Sequence, residues 1–313
     1  MGSGIGFHED RFYGLLLNGK LREAMDYLSR FPERSALYGR YLRRFEKNQR
    51  PIYAADTRLD GLLAVYQTYY RDVFYLELSA EEALKRMRFR FGVLLGAGVR
   101  GVDFDALEEG PVAAAFRDSG FQFLGGRTDG FYGPYIWRAT EETAYEVELP
   151  GGTQPFPIRF LDGFLSKSWL DYLSFGAVGT GGWTDRDGVI CCVRSAYDVD
   201  SEDFRVSLLK HEAQHATDLE TYPGIAPADL EYRAKLVELI YSKERNLLPV
   251  FLREAGGPGG HSAAADRIAT DFSRELNCDC GRLTELSPGG IRPVAGDLFA
   301  RSENEVRRKY LRP

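Results

Sequence analysis

The sequence predicts an α+β fold, with a helical N-terminal region at residues 1–97 and a mixed helix-and-sheet domain at residues 98–313. Apolar residues recur at the three-and-four spacing of a helix from Asp10 to about Asn48. From Gly120 to Cys192 the chain is instead rich in glycine and aromatic residues, with short runs that are typical of strands. The segment Gly96–Gly101 is glycine-rich and has no periodicity, so we place the domain boundary there.

The composition is that of an ordinary globular protein, because 44% of the 313 residues are hydrophobic and can build one large core or two smaller ones. The formal net charge of -6 provides no overall attraction to nucleic acid or anionic lipid. The sequence contains no long apolar run, and its first residues lack the features of a secretory signal. We therefore predict a cytoplasmic protein with no nucleic-acid or membrane partner.

Further helices are predicted in the N-terminal region at Leu59–Phe74 and Ala80–Leu95, with Pro32 and Pro51 as interruptions. Aromatic residues alternate with arginines between Phe31 and Phe45. We favour packed helices whose arginines reach solvent over a nucleic-acid-binding face.

The aromatic segment predicts a β-hairpin, because Thr143–Leu149 and Pro157–Leu161 flank a Pro-Gly-Gly turn at 150–152. Val189–Val193 is a further strand. Gly176–Gly182 lacks the Lys-Ser/Thr ending of a phosphate-binding loop, so we interpret it as a flexible loop. Cys278 and Cys280 are predicted to be free thiols, with a soft-metal site as the alternative.

The most informative stretch is the H-E-x-x-H motif that runs from His211 to His215. Positions i and i+4 lie on one helical face, so two imidazoles can converge on one cation. Glu212 lies one step around the helix, where a carboxylate can act as general base towards a metal-bound water. Acidic capping residues from Asp200 onwards and the absence of Gly or Pro from Ser201 to Tyr222 predict a helix here.

A catalytic zinc needs a third protein ligand, which we seek on the next predicted helix, Ala228 to about Ser242. Glu231 and Glu238 are seven residues apart and share a face, so spacing alone does not choose between them. We favour Glu231, because it closely follows the turn and because the small Ala234, one turn on, lets two helices approach. Glu238 stays open as the alternative.

The motif followed on the next helix by Glu231-Tyr232-Arg233-Ala234 resembles the gluzincins, the thermolysin-like zinc metallopeptidases. The resemblance covers roughly residues 185–245. It implies a zincin-like domain with a small sheet and an active-site helix, and a Zn²⁺ ion bound by His211, His215 and Glu231. It also implies that Glu212 is base and proton shuttle in the hydrolysis of a peptide or protein substrate.

The sequence departs from this family at one position. Thermolysin-like enzymes carry an acid one turn after the ligand glutamate, where it orients a histidine, and Lys235 stands there instead. Asp218, one turn after His215, could hold a ring N–H in its place, and an acid without a partner near the end of the helix is the alternative. The resemblance also implies an edge strand for peptide pairing ahead of the zinc helix, for which Val189–Val193 is the candidate; a buried central strand is the alternative.

Two residues are candidates for stabilising the oxyanion that develops during hydrolysis, namely His261 and Tyr222. His261 opens a further predicted helix after a glycine-rich connection, and Tyr222 precedes the ligand helix. The tail from Arg292 is expected to be peripheral. Two other functions stay open: a zinc-binding protein of the same fold without catalysis, and a helical protein-interaction module.

Overall fold

The computed structural model describes residues 6–52, 56–96, 101–185, 187–257 and 259–311. The chain divides into two compact units, of which the first spans residues 1–139 and 162–180 and the second spans residues 140–161 and 181–313. The first unit extends beyond the predicted boundary at residues 97–98, and those two residues lie outside the described ranges. The physical reason is aromatic packing, because Phe104, Phe116 and Trp169 are buried in one core with the N-terminal helices.

Helices provide most of the secondary structure, and mixed helix and sheet agree with the predicted α+β class. Their bounds are α1 Glu9–Leu17, α2 Leu21–Leu28, α3 Ser35–Tyr41, α4 Thr57–Tyr70, α5 Ala80–Leu95, α6 Phe104–Leu107, α7 Ala113–Arg117, α8 Ser168–Ser174, α9 His211–Thr221, α10 Pro227–Tyr241, α11 Leu248–Glu254, α12 Gly260–Leu276, α13 Cys280–Leu283 and α14 Pro288–Tyr310. Wider helical turns continue α3 through Leu42–Glu46 and α4 through Arg71–Tyr75, and the turns at Asp203–Lys210 lead into α9. The helices predicted in the N-terminal region are confirmed.

The strands are short except for one hairpin. Their bounds are β1 Gln122–Leu124, β2 Arg127–Thr128, β3 Phe131–Tyr132, β4 Tyr135–Trp137, β5 Ala139–Leu149, β6 Gly152–Asp162, β7 Ser166–Lys167, β8 Gly182–Thr184 and β9 Ile190–Val193. In the first unit, β1, β4 and β7 form an antiparallel sheet, and β2 pairs with β3.

The second unit contains a four-stranded sheet in the order β5-β6-β9-β8. The predicted hairpin is β5 and β6, so it is confirmed. Strand β9 lies in parallel beside β6 and antiparallel to β8, and all four of its residues are buried. The central-strand interpretation of Val189–Val193 is therefore confirmed and the edge-strand interpretation is wrong; the edge next to β9 is taken by β8.

The C-terminal tail is not peripheral, because α14 packs against α10. It contributes Ile291, Ala295 and Leu298 to the core of the second unit. The high charge of this stretch lies on its other faces, and that charge hid the apolar stripe from the sequence prediction. None of the helices in the described ranges is long and apolar enough to cross a membrane.

A buried ionic cluster joins α9, α10 and α14. Arg233 is only 2% exposed, and its Nε and Nη2 atoms donate to the Asp218 carboxylate at 2.7 and 2.9 Å. Its Nη2 also donates to Glu303 Oε2 at 2.8 Å, and its Nη1 donates to Ser302 Oγ at 3.1 Å. A paired guanidinium can be buried, whereas its removal would leave the Asp218 carboxylate without a counter-charge.

We expect Arg233→Met to lower the free energy of unfolding by about 3–5 kcal/mol, the cost of breaking a buried ion pair from one side. Urea denaturation followed by circular dichroism measures this change. Arg301→Met is the matched control, because Arg301 makes a two-pronged pair with Glu275 at the surface. Its unfolding midpoint should hardly move, since exposed pairs contribute little. Equal destabilisation by the two substitutions would contradict the role given to the buried cluster.

Candidate metal centre

The H-E-x-x-H motif forms the first turns of α9, as the sequence predicts. The wide turns that precede it and the helix itself are held against the sheet by Phe204, Leu208 and Ala213, which are fully buried in the core of the second unit. His211 and His215 point away from this core towards α10, and each is 8% exposed. Wide helical turns of this kind often occur at functional sites, where they adjust the direction of side chains.

Three side chains converge between α9 and α10. The donor atoms of His211, His215 and Glu231 all lie within 4.8 Å of one another, so this group could hold a metal ion. Glu231 Oε2 lies 3.6 Å from His211 Nε2 and 3.8 Å from His215 Nε2. Two imidazole nitrogens and one carboxylate oxygen are a donor set that suits zinc.

The unsatisfied atoms of this group also fit a metal ion. His215 Nε2 and Glu231 Oε2 are buried, and neither finds a hydrogen-bond partner within the described part of the chain. Buried polar atoms are ordinarily satisfied, and an unpaired one calls for a physical reason. A cation between these atoms would be such a reason, because each offers a lone pair.

Glu238 does not take the place of the third ligand. Its Oε1 lies 2.7 Å from His211 Nδ1, the ring nitrogen on the far side from Glu231. With Nδ1 donating to this carboxylate, Nε2 is the ring nitrogen that faces Glu231, and loss of its proton would give the tautomer that a metal ligand needs. Of the two candidates that the sequence left open, Glu231 thus faces both rings, whereas Glu238 contacts His211 Nδ1.

Asp218 does not orient a histidine, and this prediction is wrong. Its carboxylate is engaged by Arg233 and by Gln214 Nε2, which donates to it at 2.9 Å. The side chain therefore points along the opposite flank of α9, where a buried guanidinium attracts it. Lys235, which stands where the gluzincins have their orienting acid, donates to Glu254 Oε2 at 2.6 Å.

The electrostatics of the centre favour positive charge. Burial lowers the pKa of His211, but contacts with Glu231 and Glu238 outweigh burial and raise it to about 10. Burial raises the pKa of Glu231, but the facing His211, His261 and His215 lower it well below its ordinary value. Carboxylates thus hold a cationic charge between the helices, whether a proton or a metal ion supplies it.

Glu212 is held as a carboxylate beside the centre. Its Oε2 accepts a hydrogen bond from Thr184 Oγ1 at 2.8 Å and lies 3.5 Å from His215 Nδ1. Burial raises the pKa of Glu212, but His215, His211 and the Thr184 hydroxyl lower it below its ordinary value. An ionised carboxylate at neutral pH is what a general base requires. No sequence pattern marked Thr184, which comes just after the segment that was predicted to be a loop.

The centre opens into a cleft of about 420 Å³. Gly181 and Gly182 form one wall, and Leu247, Val250 and Phe251 form another. The cleft therefore combines polar groups of the candidate centre with apolar surface, as is typical of binding sites for organic substrates.

His261 is brought to the centre, as predicted. It lies at the start of α12 with a side chain that is 67% exposed, and its Nδ1 is 3.0 Å from Glu231 Oε2. The chain thus places three of its four histidines around one carboxylate.

Tyr222 is not brought to the cleft, so its predicted role is wrong. Its hydroxyl donates to Glu303 Oε1 at 2.6 Å, and its ring lines a separate cavity of about 660 Å³ with Asp218 and Arg233. The physical reason is the packing of α14, which the sequence prediction had treated as peripheral.

Cys278 and Cys280 are free thiols at intermediate and exposed positions. Within the described ranges they join no group of three potential metal ligands, and His211, His215 and Glu231 form the one such group. The prediction of free thiols is consistent with this arrangement.

No protein-family model, no curated protein and no solved structure matches the chain. Its resemblance to the gluzincins rests on the motif residues themselves.

We expect Glu238→Gln to weaken the binding of a divalent metal ion by about 10- to 100-fold, the usual effect of removing the group that orients a ligand histidine. Isothermal titration of the metal-free protein with zinc measures it. Glu220→Gln serves as the control, because Glu220 is an exposed acid further along α9 and should leave the zinc affinity nearly unchanged. An unaltered zinc affinity in Glu238→Gln would contradict the orienting role of Glu238.

Proposed function

We propose that this protein is a zinc-dependent peptidase that hydrolyses peptide bonds in extended peptide or protein substrates. The observation that carries the proposal is the convergence of His211, His215 and Glu231 beside an ionised Glu212, with His211 and Glu212 lining the cleft. Under this proposal the second unit is a zincin-like domain, as the resemblance implies.

The metal would be held by His211 Nε2, His215 Nε2 and Glu231 Oε2, with Glu238 fixing His211 from behind. A bound zinc ion would lower the pKa of a water molecule and polarise the scissile carbonyl group. Three protein ligands leave a position for that chemistry, whereas a fourth would make the site structural.

The chain's own residues would carry the proton transfers. Glu212 takes a proton from the attacking water and delivers it to the leaving nitrogen, because its carboxylate is ionised and adjoins the ligand pair. His261 stands at the mouth of the centre with a largely exposed ring, from which an N–H can donate to the oxyanion that develops on the carbonyl oxygen. Burial of His211 and His215 keeps competing water away from the ligand atoms.

The substrate would lie along β8. This strand is at the edge of the sheet, and its first residue, Gly182, lines the cleft. A peptide that pairs with an edge strand is held by main-chain hydrogen bonds whatever its sequence, while side-chain pockets select among substrates. The apolar wall at Leu247, Val250 and Phe251 suits an apolar substrate side chain next to the cleaved bond.

We expect the purified protein to bind close to one zinc ion per chain, because three ligands on two packed helices are already arranged for it. Elemental analysis after dialysis measures the ratio. His211→Ala and His215→Ala should each reduce the zinc content strongly, whereas His8→Ala, a histidine of the first unit, should leave it unchanged. Retention of zinc by both motif variants would refute the proposed ligands.

We expect Glu212→Gln to keep its zinc and its fold but to lose peptide hydrolysis by about two orders of magnitude or more, the scale of general acid-base catalysis. Glutamine keeps the volume of the side chain and removes the base. Cleavage of an unstructured protein substrate and zinc content are measured on the same samples, with Glu220→Gln, an exposed acid further along α9, as the control. Equal hydrolysis by wild type and Glu212→Gln would refute the base, and an inactive zinc-bound wild type would favour the non-catalytic alternative.

A further inference from the structure

The outer edge of β8 offers the main-chain groups of two residues. Gly181 O accepts from Val193 N at 2.8 Å, and Asp185 N donates to Val189 O at 2.9 Å, so both ends of β8 are fixed to the strand beside it. Antiparallel pairs alternate between hydrogen-bonded and non-bonded positions. Gly182 and Thr184 occupy the non-bonded positions, so their N–H and C=O groups point to the outer edge.

No further strand pairs with this outer edge in the part of the chain that the structure describes, because β8 ends the strand order there. The strand itself is pressed onto the turns before α9. A side chain at Gly182 would meet Leu208 Cδ1 at 2.4 Å and the Cys191 carbonyl oxygen at 2.7 Å. Strand β8 therefore packs tightly against the turns that lead into the motif helix, and a displacement of the strand would also displace the helix.

The side chain of Thr184 reaches from this strand to Glu212. Its Oγ1 lies 2.8 Å from Glu212 Oε2 and 3.0 Å from the Glu212 carbonyl oxygen. A hydroxyl has one proton to donate, and the ionised carboxylate is the stronger of the two acceptors. The hydrogen bond therefore fixes Oε2 and leaves Oε1 as the carboxylate oxygen that can receive a proton.

We propose that Thr184 is a positioning residue that couples the docking of an extended peptide on β8 to the orientation of the Glu212 carboxylate. The proposal rests on the proposed peptidase function. The main-chain N–H and C=O of Thr184 would face the peptide, while its hydroxyl binds Glu212. Thr184 would therefore contact both the substrate and the base. A peptide paired with β8 would fix the strand, and the strand would fix the carboxylate through a single side chain.

The first test compares Thr184→Val with Thr184→Ser in steady-state hydrolysis of an unstructured protein substrate. Valine keeps the branched shape and removes the hydroxyl, so kcat should fall about 10- to 100-fold, as expected for the loss of a hydrogen bond to a charged group. KM should stay nearly constant, because the main-chain groups still pair. Serine restores the hydroxyl and should restore kcat to within about threefold of wild type.

A control variant separates this effect from simple loss of a helix contact. Thr217 lies on the same helix, and its hydroxyl donates to the Ala213 carbonyl oxygen at 2.9 Å. Thr217→Val should leave kcat unchanged. Zinc content and thermal midpoint are measured for every variant, so that a fall in kcat with both of these retained is assigned to positioning.

The second test needs no catalysis. In zinc-free protein labelled with ¹³C at the glutamate carboxyl carbons, the Glu212 signal is the one missing from Glu212→Gln. Addition of a capped alanine-rich hexapeptide should shift this signal in wild type and in Thr184→Ser but not in Thr184→Val. The amide signals of β8 should shift in all three proteins.

The outcomes separate the two proposals. Equal kcat values in wild type and Thr184→Val, or an equal carboxyl shift in both, would overturn the positioning role while leaving the peptidase intact. A hexapeptide that leaves the β8 amide signals unmoved would also overturn the coupling. Absence of hydrolysis in wild type, together with a hydroxyl-dependent shift of the Glu212 signal, would refute the peptidase and support the positioning role.

Discussion

The second unit depends on the matching of buried charges along α10. Burial of an ion costs several kcal/mol unless a partner of opposite charge is present, so each buried charge dictates what must pack against it. Four charged residues of this helix are at least nine-tenths buried: Glu231, Arg233, Lys235 and Glu238. Arg233 pairs with Asp218 and Glu303. Lys235 pairs with Glu254, and Glu238 pairs with His211. The neighbours of α10 are thus selected by charge as well as by apolar contact.

Glu231 is the exception, and that exception defines the candidate site. Its Oε2 faces three imidazoles without hydrogen-bond geometry to any residue that the structure describes. The other buried charges of α10 are balanced by rigid side chains, which fix α9 and α14 on either side of the helix. These ion pairs fix the positions of the helices, and thereby the positions of Glu231 and the two motif histidines. Groups that are already held in place in this way need little rearrangement to bind a cation.

Sequence spacing predicted the parts of this arrangement that depend on one helix, and it was insufficient where two helices meet. The i and i+4 spacing of His211 and His215 sets their common face. Glu231 and Glu238 share a face too, but seven residues separate them by about 10 Å along the axis, so they meet opposite sides of the His211 ring. Which acid meets which ring nitrogen depends on how far α10 slides along α9, and no local pattern records that translation.

The fold shows the same division between local and long-range information. The β5–β6 hairpin was predictable because its turn residues and alternation are local. The positions of β9 and β8 in the sheet were not, since Val189–Val193 has the apolar run of a central strand and β8 lies within a glycine-rich stretch. Likewise, Tyr222 was assigned to the cleft only because the packing of α14, which engages its hydroxyl, was not visible in a charged sequence.

Lys235 stands at the position of the expected orienting acid, and the acid that contacts a motif histidine is Glu238, one helical turn further on. The position of Lys235 has a consequence for the cleft. Lys235 is buried at 3% exposure, and its ammonium group pairs with Glu254 of α11 and lies 4.2 Å from the centre of the Phe251 ring. A buried ammonium tolerates loss of its counter-ion poorly, so α11 cannot leave α10 without exposing an unpaired charge. The Lys235–Glu254 ion pair therefore holds α11, with its apolar side chains in the cleft, against α10, which carries Glu231. The shape of the cleft on that side depends on the pairing of buried charges, as do the positions of the side chains around Glu231.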